Sequence, residues 1–228
     1  MAKKQKKAKN QIEEINTDYS EIIEDIGERK NRFFIWPLAI IFSLGFLLYV
    51  QTANYQYALD DKLVITHNYI TKKGFKGVKE HFKTDFLVGF FGKQKNLLAG
   101  GRYRPLSLVV FSIENQLFGK KKQNDKGQFV VDKDGDQIYE YNPVYGHLTN
   151  AVMYALTSVV LFLVLIRLFP PDQKRYWFFS LPFIATLLWT AHPLHTEVVA
   201  NIKGRDEIMS LLFALASLYF SIKFLEDK

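Results

Sequence analysis

The sequence predicts an all-α integral membrane protein with about four transmembrane helices and a large ordered loop after the first. Three observations support this fold class. Long apolar runs alternate with very polar stretches, and most of the runs approach the roughly 20 residues that cross a hydrocarbon core. Aromatic residues make up 15% of the chain, and 20 of its 228 residues are Phe. Lys and Arg accumulate at the ends of the runs that would face the cytoplasm.

Residues 1–32 form a polar, lysine-rich tail that we place in the cytoplasm. The periodic isoleucines in 12–26 leave two alternatives open, a short amphipathic helix and a disordered tail. The first transmembrane helix is predicted over 33–51, which contains no charged residue. The positive-inside rule orients this helix, because three basic residues directly precede it: Arg29, Lys30 and Arg32.

Residues 52–143 are predicted to form an ordered cap on the outer side of the membrane. Apolar side chains recur at helical spacing in 104–118, so we expect an amphipathic helix on the membrane or against the helix bundle. Residues 129–131 and 138–141 flank a polar turn at 132–136, which predicts a small β-hairpin. That turn resembles the start of a calcium loop but lacks its required Gly and Glu, so we interpret it as a plain turn.

Three further apolar runs predict the remaining transmembrane helices. The third is short and is interrupted by Pro182. Four crossings from a cytoplasmic start return the C-terminus to the cytoplasm. The predicted bounds are 144–168 for the second span, 169–175 for a basic cytoplasmic turn, 176–190 for the third span, 191–207 for an outer loop, 208–225 for the fourth span and 226–228 for the cytoplasmic end.

The composition excludes several classes of site. The chain has no Cys, which excludes disulfides, thiol catalysis and cysteine-ligated metals. The net charge is +7, but the basic residues are not interleaved with aromatics as in RNA-binding proteins. Membrane lipid is therefore the expected partner of these lysines, and no nucleic acid partner is predicted.

Two polar clusters fall on the predicted outer side, close to the ends of membrane helices. Ionisable residues at the membrane edge are costly unless they are paired or functional, so their convergence indicates a site. The first cluster contains Asp60, Asp61, Arg102 and Arg104, and the second contains His192, His195, Glu197 and Arg205.

Each type of side chain in these clusters has a functional and a structural interpretation. The adjacent carboxylates Asp60 and Asp61 can supply a general base, or they can cap a helix or turn. The arginines can bind a substrate phosphate, or they can contact lipid headgroups. The two histidines can contact substrate or form hydrogen bonds within the loop; their spacing is not that of a zinc protease, and no metal is predicted.

Three sequence phrases occur together in one known family. They are Asp60-Asp61, the phrase Gly-Gly-Arg-Tyr-Arg-Pro-Leu-Ser-Leu at 100–108, and His-Pro-Leu-His-Thr-Glu-Val-Val-Ala at 192–200 followed by Gly204-Arg205. The chain thereby resembles the N-terminal part of GT-C fold glycosyltransferases over about residues 33–225. It is most similar to the transmembrane and tetratricopeptide-repeat O-mannosyltransferases and their bacterial relatives.

The resemblance implies transfer of a sugar, mannose-like, from a polyprenyl-phosphate carrier to a protein or glycan hydroxyl at the outer face, without a cofactor. It implies catalytic acids at Asp60 or Asp61 and at Glu197, with Asp60 preferred as the base. Arg104 and Arg205 are implied for the lipid phosphate, and substrate contacts are expected from Arg102, His192 and His195.

The family has at least about twice as many membrane helices as this sequence predicts. We therefore keep a second hypothesis, in which the chain is a non-catalytic membrane subunit or scaffold derived from the fold. Such a chain would dock a partner membrane protein, or a missing C-terminal half, through its apolar helix faces.

The predicted topology can be tested by labelling single introduced cysteines, because the chain has no native Cys. A membrane-impermeant maleimide applied from the outer side should label a cysteine at position 125. It should label a cysteine at position 174 only after the membrane is permeabilised. Labelling of position 174 but not 125 in sealed membranes would contradict the topology.

Overall fold

The computed structural model describes residues 35–58, 60–92, 103–131, 135, 137–171 and 176–227. The expectations for the basic tail, for Arg102, for the basic turn at 172–175 and for most of the turn at 132–136 lie outside the described residues. The helices in chain order are α1 (Ile35–Asn54), α2 (Val78–His81), α3 (Val88–Phe91), α4 (Pro105–Phe118), α5 (Pro143–Leu168), α6 (Leu181–Thr190), α7 (His195–Ala200) and α8 (Arg205–Glu226). Short helical turns cover Lys62–Thr66, Thr71–Gly77, Trp177–Phe179 and Ile202–Gly204.

Among the described residues, three helices are long and apolar enough to cross a membrane. They are α1, α5, and α8 together with the turn that precedes it, Ile202–Glu226. Helix α5 begins where the Asn142 side chain accepts a hydrogen bond from the Val144 amide and Pro143 occupies the first helical position. The predicted helical fold with membrane-length helices is therefore confirmed.

Helices α1 and α6 both run antiparallel to α5. On α1, Ile41 packs with Phe162 of α5, whereas Tyr49 stacks edge-on against Tyr154 with 5.1 Å between ring centroids. On α6, Phe183 lies against Phe162, whereas the carbonyl of Thr190 accepts a 2.8 Å hydrogen bond from the Tyr154 hydroxyl. These pairings place the C-terminal ends of α1 and α6 near the same part of α5.

Helix α8 runs parallel to α5. Near its start, Arg205 donates to the carbonyl of Gly146, in the first turns of α5, at 2.9 Å. Near its end, Glu226 pairs with Arg167 in the last turn of α5. Because α5 and α8 run parallel, the chain between them must pass back along the length of α5. Helix α6 lies in this connecting segment.

The third apolar segment, predicted as a short span over 176–190 interrupted by Pro182, is divided into two helical pieces. It contains a 3-10 turn at Trp177–Phe179 and then helix α6, which begins only at Leu181 with Pro182 in its first turn. The ten residues of α6 span about 15 Å, half of a hydrocarbon core. The loop that follows also contains helix α7, and α8 starts at Arg205.

The segment between α1 and α5 forms a cap with a core of its own. The helix expected over 104–118 is present as α4, with Pro105 in its first turn. Its buried face packs on the turn Thr71–Gly77, where Asn115 donates to the Thr71 carbonyl at 3.2 Å. It also packs on the helix bundle. The buried apolar residues shared by the cap and the bundle are Val64, Ile65, Phe86, Leu108, Phe111, Tyr141 and Ile202.

The small sheet is present, but its strand pairing corrects the prediction. Strand β1 (Lys120–Lys121) pairs antiparallel with β2 (Tyr139–Glu140), whereas 129–131 meets the segment after the turn through an isolated bridge between Val131 and Gln137 and a 3.1 Å hydrogen bond from Ile138 N to Val130 O. The lysine-rich β1 segment was missed because it lacks the β-branched and aromatic residues that mark strands. The turn signal at 132–136 therefore located the hairpin but not its longer-range partner.

Burial of His81 in the cap predicts a pH-dependent loss of stability. Its Nε2 lies 2.9 Å from Ser112 Oγ, and burial lowers its pKa from 6.5 to about 4. Below pH ~6.5 the unfolded chain binds a proton that the folded chain does not, so stability should fall by about 3 kcal/mol until pH ~4. Denaturation from pH 7.5 to 4 should show this component in the native protein and not in His81→Gln; equal pH slopes would contradict it.

Candidate functional site

The acidic pair lies just beyond the end of α1, and Asp61 is its buried member. Its side chain is fully buried and accepts two backbone hydrogen bonds, from Ala58 N to Oδ2 at 3.0 Å and from Lys203 N to Oδ1 at 2.8 Å. Burial raises the pKa of Asp61, and the two backbone N–H groups oppose that rise. Asp61 therefore ties the segment after α1 to the turn before α8.

Asp60 is exposed, in contrast to its neighbour. Its carboxylate makes no hydrogen bond or ion pair to any part of the chain that the structure describes, although its backbone carbonyl accepts from Leu63 N at 2.9 Å. The pair is thus divided between a carboxylate that holds the turn and a carboxylate that faces solvent. Only Asp60 is open to a reacting group in this conformation.

Arg205 is the largest fully buried side chain of the described residues. All three of its nitrogens donate hydrogen bonds, Nε to Asn150 Oδ1 at 2.9 Å, Nη2 to Gly146 O at 2.9 Å and Nη1 to Glu114 Oε2 at 2.5 Å. Its guanidinium also lies over the Phe111 ring, 4.6 Å from the centroid. A guanidinium so fully paired has no free face for a phosphate.

Glu114 and Tyr141 complete the buried network around Arg205, and the sequence analysis missed both. The Tyr141 hydroxyl donates to the same Oε2 atom of Glu114 that accepts from Arg205. Burial raises the pKa of the Tyr141 phenol, which stays a donor at neutral pH. A signal for Glu114 was present, because it lies three residues after Phe111 on the apolar face of α4, where an unpaired charge is disfavoured.

A second ion pair lies at the start of α8 and is more exposed. Arg104 Nη1 donates to Asp206 Oδ2 at 2.5 Å, and Lys203 Nζ lies 3.6 Å from the same oxygen. The Arg104 side chain is 52% exposed, whereas that of Asp206 is 7% exposed. Of the candidate arginines that the structure describes, Arg104 is the one that can reach a ligand from solvent.

The histidine phrase is placed beside this network by α7. The α7 segment packs tightly on Gly204, where a Cβ atom would approach Val198 O to 2.1 Å. Glu197 is exposed and makes no hydrogen bond to the described residues. A larger side chain at position 204 would therefore displace α7 and its acid.

The two histidines of the phrase have different surroundings. His192 is exposed and accepts from Leu194 N at 3.3 Å. His195 packs on Trp189 and Tyr154, with centroids 4.4 and 5.5 Å away, and its buried Nε2 has no partner among the described residues. Burial lowers the pKa of His195, which favours the neutral ring.

The structure thus joins some of the predicted site residues and leaves others apart. Contacts run from Asp61 to Lys203, and from Lys203 through Asp206 to Arg104. No described contact joins Glu197 to either acid of the first cluster. Within the described ranges, no three metal-ligating side chains come together.

Comparison with known proteins gives one consistent kind of relative. The chain is similar to protein O-mannosyltransferases. It is 25% identical over 186 residues to Protein O-mannosyl-transferase F38B6.6 of Caenorhabditis elegans, covering 82% of this chain and 23% of that protein. It is 26% identical over 185 residues to human Protein O-mannosyl-transferase TMTC1, covering 80% of this chain and 18% of that protein.

A shorter match has higher identity. Mouse Protein O-mannosyl-transferase TMTC3 is 40% identical over 115 residues, which cover 50% of this chain and 9% of that protein. The chain therefore spans less than a quarter of the length of each of these relatives. No family model matches the chain, and no solved structure matches it. The resemblance to O-mannosyltransferases that the motifs indicated is confirmed.

The burial of Arg205 predicts a large difference between two arginine substitutions. Arg205→Ala leaves the Glu114 charge buried and unpaired, so it should lower the free energy of unfolding by about 3–5 kcal/mol. Arg104→Ala removes a partly exposed pair and should cost about 1 kcal/mol or less. Denaturant unfolding in detergent measures both variants. Equal losses of unfolding free energy in the two variants would contradict the assignment of Arg205 as the buried partner of Glu114.

Proposed function

We propose that the chain is a membrane glycosyltransferase, or the N-terminal portion of one. It transfers a mannose-like sugar from a polyprenyl-phosphate carrier to a protein or glycan hydroxyl at the outer face of the membrane. The names of its relatives and its membrane-length helices support this class of activity. The observation that carries the proposal is the solvent-facing Asp60 beside an anchored Asp61, at the same edge as Arg104.

In the proposed reaction, Asp60 is the general base. The acceptor oxygen attacks the anomeric carbon of the sugar, and its proton passes to the Asp60 carboxylate. The bond between the anomeric carbon and the carrier phosphate breaks, and the electron pair leaves with the phosphate. A base positioned in this way contributes about 10²–10⁴-fold to the rate. Asp61, with both oxygens occupied, holds the turn that presents Asp60.

Arg104 is the proposed contact for the leaving phosphate. Its half-exposed guanidinium can leave one side to Asp206 and present the other to an anion, since a guanidinium carries five donors in a planar fork. A fixed cation at the departing phosphate stabilises the charge that develops there. The buried Arg205 is reassigned to holding this edge together. Glu197 is proposed as a second catalytic acid, and His192 and His195 are proposed substrate contacts, because they lie in α7 or just before it, next to the same turn.

The proposed topology has four spans with both termini in the cytoplasm. The parallel packing of α5 and α8 supports the third crossing. From Asn150 to Arg167, helix α5 advances about 26 Å, and the connection from its end to Arg205 must cover that distance again. Helix α6 supplies about 15 Å of it, and the residues on either side supply the rest.

One observation favours the alternative of a non-catalytic subunit that docks a partner membrane protein. Among the three membrane-length helices of the described residues, α8 is the least covered by the rest of the protein. Of its apolar 18-residue stretch 11% is buried, against 39% for α5. The exposed aromatic residues of α8 include Phe213, Phe220 and Phe224. Lipid covers such a face as well as protein does, so a transfer assay separates the two functions.

Asp60→Asn should abolish most transfer without loss of the fold. With the full-length protein in liposomes, we expect the rate of mannose transfer from polyprenyl-phosphate mannose to a peptide to fall about 10²–10⁴-fold. The matched control is Asp125→Asn, which removes an exposed carboxylate from the segment between β1 and β2. A normal rate for Asp60→Asn at normal protein level would remove Asp60 from the mechanism.

A further inference from the structure

Glu114 is a buried charge that the proposed chemistry does not use. It lies on α4 of the cap and is 6% exposed. Its Oε2 atom accepts from Arg205 Nη1 at 2.5 Å and from the Tyr141 hydroxyl. Its neighbours on the buried face of α4 include Leu108 and Phe111. An ionised carboxylate among such residues is costly to bury, so its pairing with Arg205 constrains both elements strongly.

The pair bridges the cap and the membrane bundle. Arg205 uses its other nitrogens on α5, where Asn150 and Gly146 accept from it. The Asn150 amide in turn donates to the carbonyls of Asn201 at 2.9 Å and Val199 at 3.3 Å. The turn before α8 is therefore held from the cap by Glu114 and from the bundle by α5.

A short connection leads from the Glu114–Arg205 pair, which we call the clamp, to the acidic pair Asp60–Asp61. Only Gly204 separates Arg205 from Lys203, whose amide donates to Asp61 Oδ1 at 2.8 Å. Gly204 lies against the Val198 carbonyl with no room for a Cβ atom. A displacement of the Arg205 backbone should therefore move the Lys203 amide, because one residue separates them and that residue is packed against the Val198 carbonyl.

We propose that Glu114 is a positioning residue for the acidic turn. Its charge fixes Arg205, which sets the Lys203 amide against Asp61 and so holds Asp60 at the reacting edge. The catalytic consequence rests on the proposed function, whereas the structural coupling between Glu114 and the Lys203 amide does not. No other described side chain gives Arg205 a charged partner.

Hydrogen exchange measures the coupling directly. In Glu114→Gln, a shape-conserving change that removes the charge, the Lys203 amide should exchange about tenfold faster, as expected when a charge-assisted hydrogen bond is weakened. The matched control is Glu140→Gln, an exposed glutamate of the same cap, which should leave this amide unchanged. Unchanged protection of the Lys203 amide in Glu114→Gln would overturn the proposal.

Tyr141→Phe keeps the proposal testable where Glu114→Gln unfolds. This variant removes one donor to Glu114 and keeps both charges, so it should speed exchange of the Lys203 amide to a smaller extent. The effect should be confined to the residues around the clamp. Native exchange at that amide in a folded Tyr141→Phe protein, together with global unfolding of Glu114→Gln, would reduce Glu114 to a general stabilising residue and overturn the positioning role.

Steady-state transfer by the full-length protein tests the catalytic consequence. Glu114→Gln should lower kcat at least tenfold with little change in KM for the lipid-linked sugar, because the donor contact at Arg104 is retained. Glu114→Asp, which keeps the carboxylate, should recover part of the rate. Normal kcat in Glu114→Gln with active wild-type protein would overturn the positioning role. A wild-type protein without transfer would instead overturn the proposed function. The hydrogen-exchange data would still test the coupling between Glu114 and the Lys203 amide.

Discussion

The fold depends on the pairing of one buried cation. Arg205 is removed from water at the point where the cap meets the membrane helices, and its charge requires a carboxylate and neutral acceptors around it. Glu114 comes from the cap, whereas Asn150 and the Gly146 carbonyl come from α5. Satisfying a single guanidinium therefore joins three separate parts of the chain. Next to a membrane this constraint is stronger still, since water cannot replace a missing partner in the hydrocarbon region.

Helices α5 and α8, which run parallel, are held together at both ends. At the Arg205 end the contacts are buried, whereas at the other end Arg167 pairs with Glu226 near the surface and lies over the Tyr219 ring, 4.9 Å from its centroid. Between the two ends, α5 and α8 pack along their lengths. The rest of α8 is apolar and little covered, so polar contacts fix its position relative to α5 while its outer face is left for lipid or protein.

Burial gives the two adjacent aspartates, Asp60 and Asp61, different surroundings and different structural roles. Asp61 is buried and accepts backbone N–H groups from both flanking segments, so it serves as a fixed anchor. Asp60, one residue earlier in a tight turn, points to solvent and makes no contact of this kind. The two residues share a peptide bond, so the anchored Asp61 can hold the backbone of Asp60 in place. A rigid support of this type is what a general base needs for short-range proton transfer.

The sequence alone determined the membrane class, the presence of helices near 104–118 and 144–168, and the motifs that relate the chain to O-mannosyltransferases. Apolar length, apolar spacing and residue identity are local properties, and they are sufficient for these conclusions. Only the tertiary structure decided that Asp60 is exposed and Asp61 buried, and that Arg205 pairs with Glu114, which lies 91 residues away. Burial and charge pairing depend on which distant segments pack together. No local pattern records that choice.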